Sequence, residues 1–271
     1  MEDDVVKESV IRNPEINGWP DVLERAVEEV GSPFRHVRVF AETDSTQDVA
    51  RRERAEPGTL IVAGRQTRGR GRLGSAWADT ASDGVAMTLI LPREPGERLA
   101  FAAAVGVARA AESCLGRRIT IKWPNDILVD RRKLAGILIE QTDTRALLGI
   151  GFNVAQTAWP DDLTDKAVSL TQLGVPILRI EVMCELIRAL GDSLALDTEA
   201  LMQDYAERDG LTGRTIRVQH EGRTYEGRVA TVNPRDGLLL ETERDGTVHL
   251  PAMTSRTDLG SGVVRNSAPV D

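Results

Sequence analysis

Gly64-Arg-Gln-Thr-Arg-Gly-Arg-Gly-Arg-Leu-Gly-Ser-Ala-Trp77 leaves the apolar run Leu60-Ile-Val-Ala63 and sets Arg65, Arg68, Arg70 and Arg72 among four glycines with no acid between them. Two readings of this stretch lead to two different folds. Gly69-Arg-Gly-Arg-Leu-Gly74 matches G-x-G-x-x-G after a strand, a pattern that binds a dinucleotide only if a helix follows the third glycine directly. Ser75-Ala-Trp-Ala-Asp-Thr-Ala-Ser-Asp-Gly84 is too short and too broken to be that helix. A phosphate loop fares no better, because Gly74 is followed by Ser75-Ala76 where Gly-Lys-Ser/Thr is required. The remaining readings are a solvated Gly/Arg turn and a flexible anion site. In the anion site, glycines bring backbone N–H groups close to an oxyanion and guanidinium forks bind its oxygens in pairs. A stretch as long as Gly64–Gly84 inside a compact domain usually has a function.

Around this loop the periodicity is mixed. Helices are predicted from Pro20 to Gly31, from Asp44 or Ser45 (as cap) toward Ala55, over Glu97–Leu115, over Ile180–Leu196 and over Thr198–Arg208. Strands are predicted at Phe34–Phe40, Leu60–Ala63, Val85–Leu91, Ile119–Trp123, Ile127–Val129, Leu134–Glu140 and Ala146–Phe152. After Gly210-Leu-Thr-Gly213 short β runs alternate with turns at Glu221-Gly222, Asp236-Gly237 and Asp245-Gly246, which describes a small all-β module. The expected organisation is a polar, loose arm over 1–18, a mixed α/β domain over 19–211, the β module over 212–259 and a disordered tail over 260–271.

Composition narrows the function classes. Among 271 residues, 42 acids against 34 bases give a formal charge of −8, so no whole-surface positive field exists to hold a nucleic acid. Against that background the Arg65–Arg72 run is a local anion site. The 2 cysteines, Cys114 and Cys184, cannot form a disulfide framework and read as small buried hydrophobes, and the 3 histidines show no zinc-type spacing. The acidic N-terminus is unlike a secretory leader, and no apolar run reaches the roughly 18 residues of a membrane span, so a soluble cytoplasmic protein is expected.

Three further segments carry chemistry. Lys122-Trp-Pro-Asn-Asp126 is either a plain strand-end turn or a bend whose Lys122 offers a cation for phosphate and whose Asp126 offers a carboxylate for hydrated Mg²⁺. Lys133-Leu-Ala-Gly-Ile-Leu138 opens a strand with a lysine, and Gly136 leaves room for a ligand against the backbone. Glu42-Thr-Asp-Ser-Thr-Gln47 caps a helix, hydrogen-bonds a small polar ligand, or does both.

In this order the segments resemble the motifs of the biotin protein ligases. Thr43-Asp-Ser-Thr-Gln47 resembles T-D-S-T-N, Gly69–Trp77 resembles G-R-G-R-x-G-R-x-W, and Lys122–Asp126 resembles K-W-P-N-D. Lys133–Leu138 resembles K-L-A-G-I-L, and Gly151-Phe-Asn153 resembles G-x-N. The likeness spans about Phe34 to Leu259. It implies a mixed-sheet α/β (α+β) catalytic domain of the class II aminoacyl-tRNA synthetase and biotin–lipoate ligase type, with a small Src-homology-3-like β-barrel behind it. It implies ATP and biotin as substrates, Mg²⁺, and a biotin carboxyl carrier domain of a carboxylase as acceptor, with no nucleic acid or membrane partner and a homodimer left open. Lys133, Arg70 and Arg72 would be catalytic. Ser45, Thr46, Gln47, Gln66, Arg70, Gly71, Arg72, Lys133 and Gly136 would bind biotin. Arg72, Trp77, Lys122, Asn125 and Asn153 would bind ATP, and Asp126 the metal.

Two positions depart from the family pattern. Ser75 stands where the family usually has arginine, with Arg65 and Arg68 as candidate substitutes, and Gln47 replaces asparagine. Some 42 residues precede Thr43, too few for a winged-helix DNA-binding domain, so a ligase without repressor function is expected. A lipoate ligase, an RNA-binding module and an NAD-dependent oxidoreductase are the competing readings.

Overall fold

The computed structural model describes residues 15–78, 83–94, 97–252 and 254–258. The first half comprises α1 (Trp19–Val30), β1 (His36–Phe40), α2 (Thr46–Arg52), β2 (Thr59–Ala63), β3 (Gly84–Pro92), α3 (Arg98–Leu115), β4 (Thr120–Lys122) and β5 (Asp126–Val129). It continues through β6 (Arg132–Gln141), β7 (Arg145–Asn153), α4 (Arg179–Ala195) and α5 (Thr198–Ala206). A set of short strands then follows: β8 (Thr215–His220), β9 (Arg223–Asn233), β10 (Gly237–Thr242), β11 (Gly246–Leu250) and β12 (Ser255–Asp258). Among the described residues no helix is long and apolar enough to cross a membrane.

The first seven strands form one mixed sheet in the order β1-β2-β3-β7-β6-β5-β4. Only β1 and β2 run parallel; β2 and β3, which flank the Gly/Arg stretch, are antiparallel neighbours. That pairing excludes a dinucleotide crossover at this loop, since such a unit needs parallel strands joined by a helix.

Period-2 alternation distributes the strand side chains between two layers. Leu60, Val62, Met87, Leu89, Leu148 and Ile150 join the large core with α1, α3 and α4. Ile61, Ile90 and Leu147 point the other way and pack with Val49 and Ala50 of α2. Helix α2 is short, so it covers only part of that second face. The uncovered part lies over β6 and β7.

The last five strands form an antiparallel sheet in the order β11-β10-β9-β8-β12. Ile216, Val218, Val229, Leu238, Leu240 and Leu250 alternate into its interior. The sequence pattern omitted β12, which pairs with β8. Its buried Ser255 and Thr257 carry no apolar alternation for periodicity to detect.

The end of the expected loose arm is docked instead. Glu15 receives Arg179 Nε and Nη2 at 3.0 and 2.8 Å, and the Arg179 guanidinium lies 4.7 Å from the Trp19 ring centroid. Buried Arg179 also donates to Gly64 O at 2.8 Å and Gly84 O at 3.3 Å. One side chain thereby ties together the two ends of the Gly/Arg stretch. Residues 1–14 and 259–271 lie outside the described residues.

Candidate active site

A cavity of about 670 Å³ opens on the sheet face that α2 leaves uncovered. This is the size of a small-molecule site. Its floor is made of glycine: Gly136 pairs with Gly151, and Leu138 pairs with Gly149. A Cβ on Gly151 would lie 2.3 Å from Trp77 Cε2, one on Gly136 would lie 2.7 Å from Lys133 Cε, and one on Gly149 would lie 2.7 Å from Gln47 Nε2. The missing side chains therefore make room for an indole, a lysine stem and an amide laid flat on the sheet.

The Gly/Arg stretch is a narrow hairpin rather than an irregular loop. Arg70 bridges to Ala76, Gly71 N donates to Ser75 O at 2.8 Å, and Trp77 N donates to Gly69 O at 2.9 Å. Gly69 and Gly71 permit this, because a Cβ on either would strike Trp77 O or Ser75 Oγ at about 2.6 or 2.5 Å. At the tip Leu73 and Gly74 both have positive φ, 51° and 79°. The base zips onto the preceding motif through Thr43 N to Arg65 O and Thr67 N to Thr43 O. Two segments that were separate in sequence thus form one wall.

Gln66 Oε1 accepts from Thr46 N at 2.9 Å, and Thr88 Oγ1 donates to Thr46 Oγ1 at 2.8 Å. Ser45 is the N-cap of α2 but makes no side-chain capping bond, which leaves its hydroxyl for the cavity. Asp44 instead accepts Ser45 N at 2.9 Å and Thr43 Oγ1 at 3.1 Å. Burial opposes ionisation of Asp44, but those hydrogen bonds and the Arg52 and Arg68 charges outweigh it and hold its carboxyl below the usual range.

The cations divide by partner. Lys133 Nζ is 2.6 Å from Asp126 Oδ1 and 5.4 Å from the Trp77 ring centroid. Arg72 donates to Asn125 Oδ1 at 3.0 Å, to Ala252 O, and to Ser255 O at 2.8 Å. Those contacts fix the guanidinium where it lines the cavity. Arg70 differs, donating to Asp48 at 2.7 Å and Glu140 at 2.8 Å, the same two acids that hold Arg51. Lys122 and Lys166 line the cavity and have no ion-pair partner among the described residues.

The comparisons with known proteins bear on this arrangement. The sequence model of the Biotin/lipoate A/B protein ligase family matches residues 39–156. The bifunctional ligase/repressor BirA of Bacillus subtilis (strain 168) is 33% identical over 234 residues, covering 79% of this chain and 71% of that protein. A biotin–[acetyl-CoA-carboxylase] ligase of Mycobacterium tuberculosis is 31% identical over 223 residues, covering 75% of this chain and 83% of that one.

The chain belongs to the biotin protein ligase family.

Among solved structures, the Aquifex aeolicus biotin protein ligase in complex with biotin and ATP superposes with a TM-score of 0.76 at 26% identity, over 83% of this chain and 99% of that one. In this ligase the family motifs converge on the cavity just described. Ser45, Thr46, Gln47, Gln66, Arg70, Gly71, Arg72, Trp77, Lys122, Asn125, Asp126, Lys133 and Gly136 all line it.

Asn153 does not. It is buried, and its Nδ2 donates to Lys133 O and Val168 O, both at 3.1 Å, so it braces the strand that carries Lys133. Arg65 and Arg68 also stay off the cavity wall, paired with Glu42 at 2.8 Å and Asp44 at 3.3 Å. Ser75 itself braces the hairpin tip, its Oγ donating to Arg72 O at 2.7 Å.

Gln47 uses its extra methylene to span the sheet, its Nε2 donating to Leu138 O at 2.8 Å and Leu147 O at 3.2 Å. Its Oε1 is buried with no partner among the described residues. Sequence reasoning missed Lys166, which sits beside Lys133 through the Lys133 N to Lys166 O bond of 2.7 Å. No motif contains it. Gln219 and Thr257 of the second sheet were missed too, though both line the cavity.

Asp126 is the one carboxylate lining the cavity among the described residues. Mg²⁺ is commonly held by one or two carboxylates together with substrate phosphates, so the donor set fits an ion that arrives on a nucleotide. The cysteines are half-buried rather than core residues. Both line a separate groove with Ile180 and Glu181. Burial and the Glu185 and Glu181 charges push the Cys114 thiol up to about 11.

Proposed function

We propose that this ligase activates biotin with MgATP and transfers it to a lysine of a biotin carboxyl carrier domain. In the first step a biotin carboxylate oxygen attacks the α-phosphorus, forming biotinyl-5′-adenylate and releasing pyrophosphate. In the second, the acceptor lysine's amine attacks the activated carbonyl, loses a proton and expels AMP.

The observation that carries this reading is the convergence of Lys133, Arg72, Gln66 and Trp77 on a glycine floor. Joining a carboxylate to a polyphosphate brings anions together, and preplaced cations offset that repulsion. Lys133 exchanges the Asp126 carboxylate for that of biotin and stays on the acyl-phosphate oxygens. Arg72, Lys122 and Lys166 face the phosphates, and Arg70 holds the hairpin to α2 and β6.

A ureido ring offers two N–H groups and one carbonyl. Gln47 Oε1, which has no partner among the described residues, and the Ser45 hydroxyl, which makes no capping bond, are the matching acceptor and donor. Trp77 supplies a flat apolar face for adenine. Asp126 and the nucleotide's phosphates would hold Mg²⁺, which would supply further charge neutralisation.

The acceptor class follows the Mycobacterium tuberculosis relative, named for acetyl-CoA carboxylase. Incubation of a carrier domain with this protein, ATP and biotin should add the mass of one biotinyl group. An unmodified carrier domain under conditions where a known ligase labels it overturns the assignment.

A further inference from the structure

Glu97 is the N-cap residue of α3, yet its side chain makes no capping bond. It reaches instead to the second sheet, where Ala252 N donates to Glu97 Oε2 at 2.7 Å. The carbonyl of the same Ala252 accepts from Arg72, and Ser255 O accepts from it three residues on. Residue 252 is therefore gripped from both sides, by a carboxylate on its N–H and by a guanidinium on its C=O. Thr257 Oγ1, donating to Trp123 O at 3.0 Å, ties β12 to the end of β4.

A hydrogen bond to an ionised acceptor is stronger and shorter than one between neutral groups. Burial pushes the Glu97 carboxyl up, against the Ala252 bond and the Arg72 charge. Holding a half-buried carboxylate ionised here costs stability, which a purely architectural contact between the sheets does not require.

We infer that Glu97 is a positioning residue for adenylate formation: it anchors Ala252, whose carbonyl together with that of Ser255 aims the Arg72 guanidinium into the cavity. The second sheet is by this account part of the catalytic apparatus. The inference rests on the proposed ligase reaction and goes beyond it in assigning a residue outside every sequence motif and outside the cavity wall.

The test is a double-mutant cycle read by biotin-dependent ATP–pyrophosphate exchange on the full chain. Wild type, Glu97→Gln, Arg72→Lys and the double variant are compared, with kcat and KM for ATP and biotin separated. Glu97→Gln should lower kcat/KM about tenfold, since small misplacements of a catalytic group have effects of this size. Its melting temperature should stay at or above that of wild type.

In the Arg72→Lys background, which already lacks the fork that grips Ala252 and Ser255, the same change should have almost no further effect. Equal fold-losses in both backgrounds, no loss at all, or a loss that tracks a lowered melting temperature overturns the inference. If Glu97→Gln does not fold, Glu97→Asp, which keeps the charge but withdraws it by one methylene, takes its place in the cycle. Absence of exchange in the wild type sinks the ligase reading itself; exchange in the wild type with independent effects sinks only the role of Glu97.

Discussion

Lys133 Nζ lies 2.6 Å from Asp126 Oδ1, over the edge of the glycine floor and within 5.4 Å of the Trp77 ring centroid. The pair is about one-quarter exposed, 32% and 21% for the two side chains, so a small anionic ligand reaches it. Lys133→Ala should reduce biotin-dependent pyrophosphate exchange by about 100-fold or more, the scale set by losing a charge aimed at a developing anion. The circular-dichroism spectrum should not change. Exchange at the wild-type rate in a folded Lys133→Ala protein would remove this residue from the reaction.

The glycine floor predicts a steric lock. Gly151→Ala places a methyl where Trp77 Cε2 now stands, and nothing but displacement of the indole resolves the overlap. Biotin KM should rise about tenfold or more, because a tightly packed site has no slack for an added methyl, and Trp77 emission should shift. Adding Trp77→Ala should recover part of the biotin KM while leaving that for ATP raised. No recovery in the double variant would show that the floor and the indole are not coupled.

Arg179 predicts a different kind of effect. Removing its donors leaves Gly64 O and Gly84 O unsatisfied, at roughly 1–3 kcal/mol for each buried carbonyl. Arg179→Met should therefore lower stability by about 2–6 kcal/mol and loosen both ends of the hairpin. Trypsin should then cut sooner at Arg65, Arg68, Arg70 and Arg72 under native conditions. Unchanged cleavage at those sites would mean that the hairpin is held by its own ladder and the Thr43 zipper.

Gln47 joins α2 to the carbonyls of Leu138 and Leu147, lines the cavity, and has a buried Oε1 with no partner among the described residues. Gln47→Leu should lower ligand-free stability by about 1–3 kcal/mol, the penalty for orphaned carbonyls, and weaken biotin more than ATP by calorimetry. If biotin affinity holds while stability falls, the side chain is a brace alone.

Much of this architecture was legible from the chain. Apolar runs such as Leu60–Ala63 and Ala146–Phe152 are strands buried on both faces, and the broken segment after Gly74 correctly excluded a crossover helix. The reason for the Gly-Arg-Gly-Arg pattern was not legible. Gly69 and Gly71 serve the close approach of two hairpin arms, a contact that spacing alone does not reveal. Long-range hydrogen bonds were equally hidden. Arg179, Glu97 and Lys166 belong to no motif, and their partners lie more than 30 residues away in the chain. β12 escaped because Ser255 and Thr257 are buried for their hydroxyls and backbone, not for apolar surface.

The two cysteines, taken from sequence for inert core residues, carry a prediction of their own. Cys114 lines an open groove, but its thiol is pushed up to about 11, first by burial and then by the Glu185 and Glu181 carboxylates. Only the thiolate is nucleophilic, so at pH 8 about one molecule in a thousand is reactive. In a Cys184→Ser background, iodoacetamide should modify Cys114 about 200-fold more slowly than a free cysteine at that pH. The rate should climb roughly tenfold per pH unit and level off only near 11, as expected for the ionised form. Replacing Glu185 with Gln should move that plateau to lower pH, because a neutral amide no longer opposes the thiolate. A mass-spectrometric rate profile that levels off near pH 8.5 would show that neither burial nor the two acids act on this thiol.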